Sequence, residues 1–458
     1  MVNPGDTAWV LASAALVMLM TPGLAFFYGG MVRSRSVLNM LMMNFIALSV
    51  VSVLWMLYGF SLSFGDDAFS GLLGNLDFAG LTDAVGKVAG FATDPTKWPG
   101  TDAIPVLAFA MFQLMFAVIT PALISGSIAD RAKFWSWVIF LVLWSSVVYF
   151  PVAHWVFSFN GFMGPDAVGG WIANNLKALD FAGGTAVHIN AGAAGLALAF
   201  VLGRRKGWPK DAPRPHNVPF VLLGASLLWF GWYGFNAGSS LTAGDLAGVA
   251  FTNTTVATAA AVLGWLFTEQ IKYGKPTTLG AASGAVAGLV AVTPACGYVN
   301  MWGALVIGLA AGAVCALAVS LKYRFGFDDS LDVVGVHLVG GLVGTLLIGL
   351  FSKKSVNTAS VGDDGLFYGG GFTQLGRQAV AAGSVLAYSF VLTLIIGMLI
   401  KYTIGFRVTD EAETVGIDEA EHKETAYDFA SFGGGGGQSI GAAAPAKTTG
   451  TVLEETKA

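Results

Sequence analysis

Stretches of about twenty mainly apolar residues recur along this chain almost to residue 402, and no other feature restricts its fold so severely. A segment of that kind placed in hydrocarbon must satisfy its own backbone hydrogen bonds, which a helix does within itself. The 458 residues are 55% hydrophobic and 11% charged, whereas a soluble domain carries about 25% charged residues. The sequence therefore describes an all-α polytopic membrane protein. Its net charge of −4 gives no reason to expect nucleic acid as a partner.

Hydropathy and turn residues place spans near 8–32, 38–64, 103–129, 134–158, 184–203, 218–238, 249–271, 278–293, 302–321, 336–352 and 379–402. The first of these lacks the basic region of a signal peptide and reads as an uncleaved span. Eleven crossings put the termini on opposite sides. With the N-terminus outside, the inner loops hold Arg33, Arg35, Arg131, Lys133, Arg204, Arg205, Lys206, Lys210, Arg214, Lys272, Lys275, Lys322, Arg324, Lys401 and Arg407. The outer loops then hold only Lys87, Lys97, Lys177, Lys353, Lys354 and Arg377, so the positive-inside bias selects N-out, C-in. The first outer loop is acidic, with Asp66, Asp67, Asp77, Asp83, Asp94 and Asp102.

Two domains follow, a transmembrane domain over 1–407 and a cytosolic tail over 408–458. The tail segment GIDEAEHKETAYDF has the charge and aromatic content to dock on the inner face. The remainder, with its run Gly433 to Gly437, has too little apolar surface to fold alone.

Two histidines stand in apolar, glycine-rich surroundings, His188 in FAGGTAVHIN and His337 in GVHLVGG. Aligning them lays HINAGAAG over HLVGGLVG, and each histidine follows an aspartate, Asp180 or Asp332. They fall in the fifth and tenth spans. That spacing makes the second half run opposite to the first, a 5+5 inverted repeat plus a final helix, with sites expected near the midplane between halves. Small residues beside each histidine let the two backbones approach, so the imidazoles can meet on the pseudo-twofold axis. Each is otherwise a core histidine bonded to a carbonyl, but ionisable pairs in lipid mark pathways. Metal is the weaker reading, since HExxH is absent and His154 sits in a separate motif, YFPVAHW. Cys296 and Cys315 read as small core residues.

The sixth span, LLWFGWYGFNAGSS, gathers aromatic faces with a following hydroxyl and no acid, which suits weak binding of a small cation. The third contributes Phe109, Phe112 and Phe116. No nucleophile or metal constellation points to an enzyme.

With DFAGGTAVHINAG, WYGFNAGS, QLMFAVITPALI, VTPACGYV and DVVGVHLVGG in order, residues 1 to about 430 closely resemble the ammonium transporters of the Amt/Mep/Rh family, bacterial Amt branch. The resemblance implies transport of ammonium or ammonia, with methylammonium as an analogue, across the cytoplasmic membrane by a homotrimer with one pore per subunit and no cofactor. It assigns Phe116 and Phe235 to a stacked gate, and His188 and His337 to a twin-histidine pore that relays the proton. Asp180, Ser239 and Trp232 fall to the outer recruitment site and the pore wall beside it. Phe157 stands where family members commonly have the cation-π tryptophan, a weaker quadrupole partner. The resemblance also implies a PII-type signalling protein at the cytosolic face. An ammonium sensor signalling through the tail is the alternative function.

Overall fold

The computed structural model describes residues 2–91, 103–210 and 214–427. Asp94, Lys97 and Asp102 of the first loop, and Gly433 to Gly437 with the rest of the distal tail, lie outside the described residues. Among the described residues, ten helices are long and apolar enough to cross a membrane. In chain order these are Pro4–Met31, Val37–Phe64, Val106–Ile128, Phe134–Phe157, Gly184–Leu202, Val218–Gly238, Asp245–Tyr273, Met301–Phe325, Val334–Phe351 and Thr373–Thr403. The expected span near 278–293 is a shorter helix, Thr278–Val292, of 15 residues. At about 1.5 Å per residue it falls short of a hydrocarbon core about 30 Å thick. A buried turn extends it, with Ala295 N donating to Val292 O at 2.9 Å and Tyr298 N to Ala295 O at 2.8 Å.

The two halves repeat in detail around their histidines. His188 sits in a π-helical turn, Gly184–Ile189, that opens the fifth span, and His337 in another, Val334–Leu338, that opens the span ending at Phe351. Such turns inside helices frequently occur at functional sites. Just ahead of each turn the backbone takes a positive φ, 121° at Gly183 and 63° at Asp332. Phe181 N donates to Pro294 O at 3.1 Å, and its counterpart Ser330 N donates to Ser127 O at 3.2 Å.

This geometry corrects the aspartate pairing. Asp329, not Asp332, is the counterpart of Asp180, since each stands eight residues before its histidine and each accepts backbone N–H groups of the helix that follows. Asp332 instead pairs with Lys322 Nζ at 2.6 Å. Sequence proximity favoured the nearer acid, whereas the turn preceding the helix needs the farther one.

On the face bearing the basic loops, a buried network ties the ends of the third and fifth spans to the loop before the His337 helix. Arg205 Nη2 reaches Asp328 Oδ1 at 2.9 Å and Arg205 Nη1 reaches Asp130 Oδ2 at 3.2 Å. Arg131 donates to Ser330 Oγ at 2.6 Å and Ser127 O at 2.9 Å. Burial raises the Asp328 pKa, but hydrogen bonding to Arg205 and the charge of Arg131 outweigh it and hold the carboxyl below its ordinary value.

The described part of the tail docks on this same face, and its acids cap helices. Asp418 accepts from Leu38 N at 3.0 Å and Asn39 N at 2.8 Å at the start of the second span. Glu421 accepts from Phe134 N at 3.1 Å at the start of the fourth. Glu413 is buried between Arg407 Nη2 at 2.6 Å and Lys206 N at 2.7 Å. Each carboxylate meets unpaired N–H groups at a helix start, or a cation, where negative charge is favoured.

Candidate functional site

The fifth span can begin only where its first amide groups find acceptors, and Asp180 supplies them. Its Oδ1 accepts from Gly183 N and Gly184 N, both at 2.7 Å, and its Oδ2 from Thr185 N at 2.8 Å and Ala186 N at 3.3 Å. The Thr185 hydroxyl donates to the same Oδ2. Both carboxylate oxygens are therefore committed to the polypeptide, and the residue fixes the approach of the His188 helix.

Beside Asp180 lies a cavity whose aromatic wall includes Phe109, Phe116, Phe157 and Phe162, with Gln113 and Ser239 as polar members. Ser239 Oγ donates to Phe235 O at 2.7 Å, which leaves its lone pairs to accept a hydrogen bond. Phe157 stands edge-on to Phe116 at 6.4 Å between ring centroids.

Phe116, on the wall of this cavity, faces Phe235, which lines the next one. Their rings lie 4.2 Å apart, tilted by 31°, and both are almost fully buried. Below them a second, narrow cavity is lined by Leu24, Val187, Trp232, Val286, His188 and His337. Apart from the imidazoles, the Met20 thioether and the indole N–H its walls are hydrocarbon, and that N–H is turned away, donating to Thr293 Oγ1 at 2.8 Å. Thr293 in turn donates to Leu289 O at 2.7 Å and lies 3.2 Å from Asn236 Oδ1. The indole plane is thus held parallel to His188, at 5.4 Å and 19°.

The two histidines meet. His188 Nδ1 lies 3.3 Å from His337 Nδ1, with ring centroids 5.4 Å apart and planes within 21°. One Nδ1 must donate and the other accept, so a neutral pair shares a single proton along this line. His188 Nε2 is buried with no hydrogen-bond partner. A pair of hydrogen-bonded imidazoles in an apolar cavity, with a further ring nitrogen free, can take up a proton at one end and release one at the other.

Phe116, Phe157, Asp180 and Ser239 therefore line one cavity and Trp232, Phe235, His188 and His337 the other, with the Phe116–Phe235 contact between them. His154 does not join them; its Nδ1 lies 3.1 Å from Ser63 O, as a core histidine would. The sequence reading missed Gln113 and Thr293. Gln113 carried a usable signal, a lone amide in the apolar run FAMFQLMF. Thr293 carried none, because its role is to hold a tryptophan about sixty residues away in the chain.

The model of the Ammonium Transporter Family matches residues 8–427. The chain belongs to the ammonium transporter family. An ammonium transporter of Mycobacterium bovis is 61% identical over 93% of this chain and 91% of its own length. One of Bacillus subtilis is 47% identical over 92% and 98%. Among solved structures, Candida albicans Mep2 superposes with a TM-score of 0.79 at 32% identity, covering 90% of this chain and 87% of that one. A structure described as a sensor Amt protein gives a TM-score of 0.80 at 29% identity, covering 91% and 98%. With ten helices among the described residues long and apolar enough to cross a membrane, and a shorter apolar one beside them, this ammonium transporter family member is a multi-pass cell-membrane protein.

Proposed function

We propose that this chain takes NH4+ from outside into the cavity beside Phe116, Phe157 and Ser239, and that on entering the apolar pore the cation gives its proton to the imidazole pair and continues as NH3. The neutral molecule then crosses the cavity lined by Trp232, His188 and His337, while the proton moves separately through the imidazole pair. The observation that carries this reading is the 3.3 Å contact of His188 Nδ1 and His337 Nδ1 in a cavity that Phe235 shares, with the Phe116 ring 4.2 Å beyond it.

The chemistry follows from what potassium lacks. Ammonium and potassium share charge and similar size, so aromatic faces attract both. Ammonium alone donates hydrogen bonds, which the Ser239 oxygen accepts, and ammonium alone can shed a proton. A hydrocarbon-walled passage then rejects any species that remains charged. The Phe235 carbonyl already accepts the Ser239 proton, which orients the hydroxyl lone pairs for this task. Asp180 acts on the cation through its field and by fixing the helix, since its oxygens are occupied.

The same reading has the N-terminus outside, the basic loops and tail inside, a homotrimer as the assembly, and a PII-type protein as an inner-face partner. Recording current from proteoliposomes after an ammonium pulse tests it. The wild type should give a current that potassium alone does not elicit, and His188→Asp should admit potassium. A His188→Asp variant with normal ammonium current and unchanged exclusion of potassium would remove the relay.

A sensor is the second reading, favoured by the likeness to a structure described as a sensor Amt protein and by the docking of residues 408–427 against the helix ends. Methylammonium uptake by intact cells separates the two, since a pure sensor accumulates none.

A further inference from the structure

On the face that carries the basic loops, a further open cavity shares no lining residue with the two described above. Its walls bring together Arg33 and Arg35 from the first inner loop, Lys206 from the loop after the fifth span, and Arg214 and His216 from the approach to the sixth. We propose that this cavity is a binding site for a phosphate-bearing polyanion.

The charge balance points there. Glu413 is the carboxylate in the lining, and it is already engaged by Arg407 Nη2 and Lys206 N. Lys206 pairs with the exposed Asp410 at 3.2 Å. Among the described residues Arg33 pairs with Asp130 alone, at 3.7 Å, and its buried Nε has no hydrogen-bond acceptor. Among the described residues Arg35 and Arg214 have no ion pair or side-chain hydrogen bond. Several like charges held at one concavity repel each other and raise the local concentration of anions.

The chemistry favours phosphate over a simple halide. Guanidinium groups present planar forks that match phosphate oxygens in bidentate fashion. Ser34 and Thr414 add neutral hydroxyls to the same wall.

The cavity is also built rather than merely basic. Asp418 N donates to Arg35 O at 3.2 Å, so the tail pins the backbone beneath the Arg35 side chain. The His216 ring is held between Val32 O, at 2.9 Å from Nδ1, and Tyr427 Oη, at 2.8 Å from Nε2. Because Thr414 of the tail stands on one side and the inner-loop cations on the other, a polyanion held by those cations and the Thr414 hydroxyl bridges them. Binding would tie the docked tail to the helix ends.

Inorganic pyrophosphate is the probe, titrated into the full-length protein in neutral detergent while heat of binding and thermal unfolding are followed. We expect saturable binding and a rise in the unfolding midpoint. The double variant Arg35→Ala, Arg214→Ala should bind about tenfold or more weakly, since each lost charge-assisted contact is worth roughly that factor. Its methylammonium uptake should match wild type, which shows that it folds. Arg35→Lys, Arg214→Lys should recover part of the binding by keeping charge without the fork. Repeating the titration in nanodiscs of zwitterionic lipid and of anionic phospholipid identifies the source. Competition by the anionic lipid assigns a headgroup phosphate, and undiminished binding assigns a soluble one. Equal pyrophosphate binding by wild type and the double alanine variant, or a wild-type effect reproduced by sodium chloride of matched ionic strength, would overturn the proposal.

Discussion

Gly192 rests directly on the backbone of Leu338, so closely that a Cβ on it would lie 2.4 Å from Leu338 N. The contact has a mirror: a Cβ on Gly341 would lie 3.0 Å from Ile189 Cγ1 and 3.2 Å from His188 Cβ. Each glycine follows its own histidine by one helical turn, and each touches the residue just after the other histidine or the histidine itself. These two approaches set the separation of the helices and hence the 3.3 Å contact between the imidazoles.

Gly192→Ala should therefore force the two helices apart. Overpacking of this kind costs about 1–3 kcal/mol. We expect a lower unfolding temperature and reduced methylammonium uptake. Gly376→Ala is the control, because a Cβ there meets nothing within 4 Å. If Gly192→Ala matched that control in both measurements, the helix spacing would not depend on the glycine.

The gate rings should not be equivalent. Phe235 also packs against Trp232 at 5.3 Å and His188 at 6.1 Å, whereas Phe116 packs against Phe112 and Phe157 on the other side. Phe235→Ala loosens the lower cavity as well as the gate, so uptake should fall further than in Phe116→Ala. Full uptake by the double alanine variant would show that the rings do not gate.

Asp180→Asn tests the cap. An amide offers one acceptor oxygen and turns an NH2 toward donors that need acceptors. Hydrogen bonds to a charged partner contribute about 1.5–3 kcal/mol each, and this carboxylate holds four backbone amides and a hydroxyl. We expect poor folding yield and a large drop in thermal stability. Asp329→Asn, which loses contacts to Val333 N and Val334 N, should be milder in the same unfolding assay.

Tail truncations should divide sharply. Ending the chain after Gly433 keeps Asp418 and Glu421 on the second and fourth spans, and uptake should stay near wild type. Ending it before Val415 removes both caps, each worth about 1 kcal/mol, and uptake should fall. The two truncations compared in proteoliposomes decide the point; full activity of the shorter one would uncouple tail and pore.

Much of this was legible in the sequence because apolar run length is a local property. The second span, expected at 38–64, is Val37–Phe64, and the sixth, expected at 218–238, is Val218–Gly238. Membrane helices satisfy their own backbone, so neighbours scarcely move their ends. The histidine pair was legible for a related reason, since two imidazoles in glycine-rich apolar surroundings stand out wherever they pack.

What only the tertiary structure decided are contacts between helices. Which aspartate answers Asp180 depends on how the backbone turns before the helix, and Asp332, nearer in sequence, is drawn off by Lys322. Thr293 matters because a neighbouring helix sets it against Trp232. The tail acids cap particular helix starts, rather than spreading over a basic surface, because folding leaves those N–H groups facing them. Hydropathy reports the transfer of one segment into lipid, whereas a hydrogen bond between residues far apart in the chain exists only once the close glycine contacts have fixed how the helices cross.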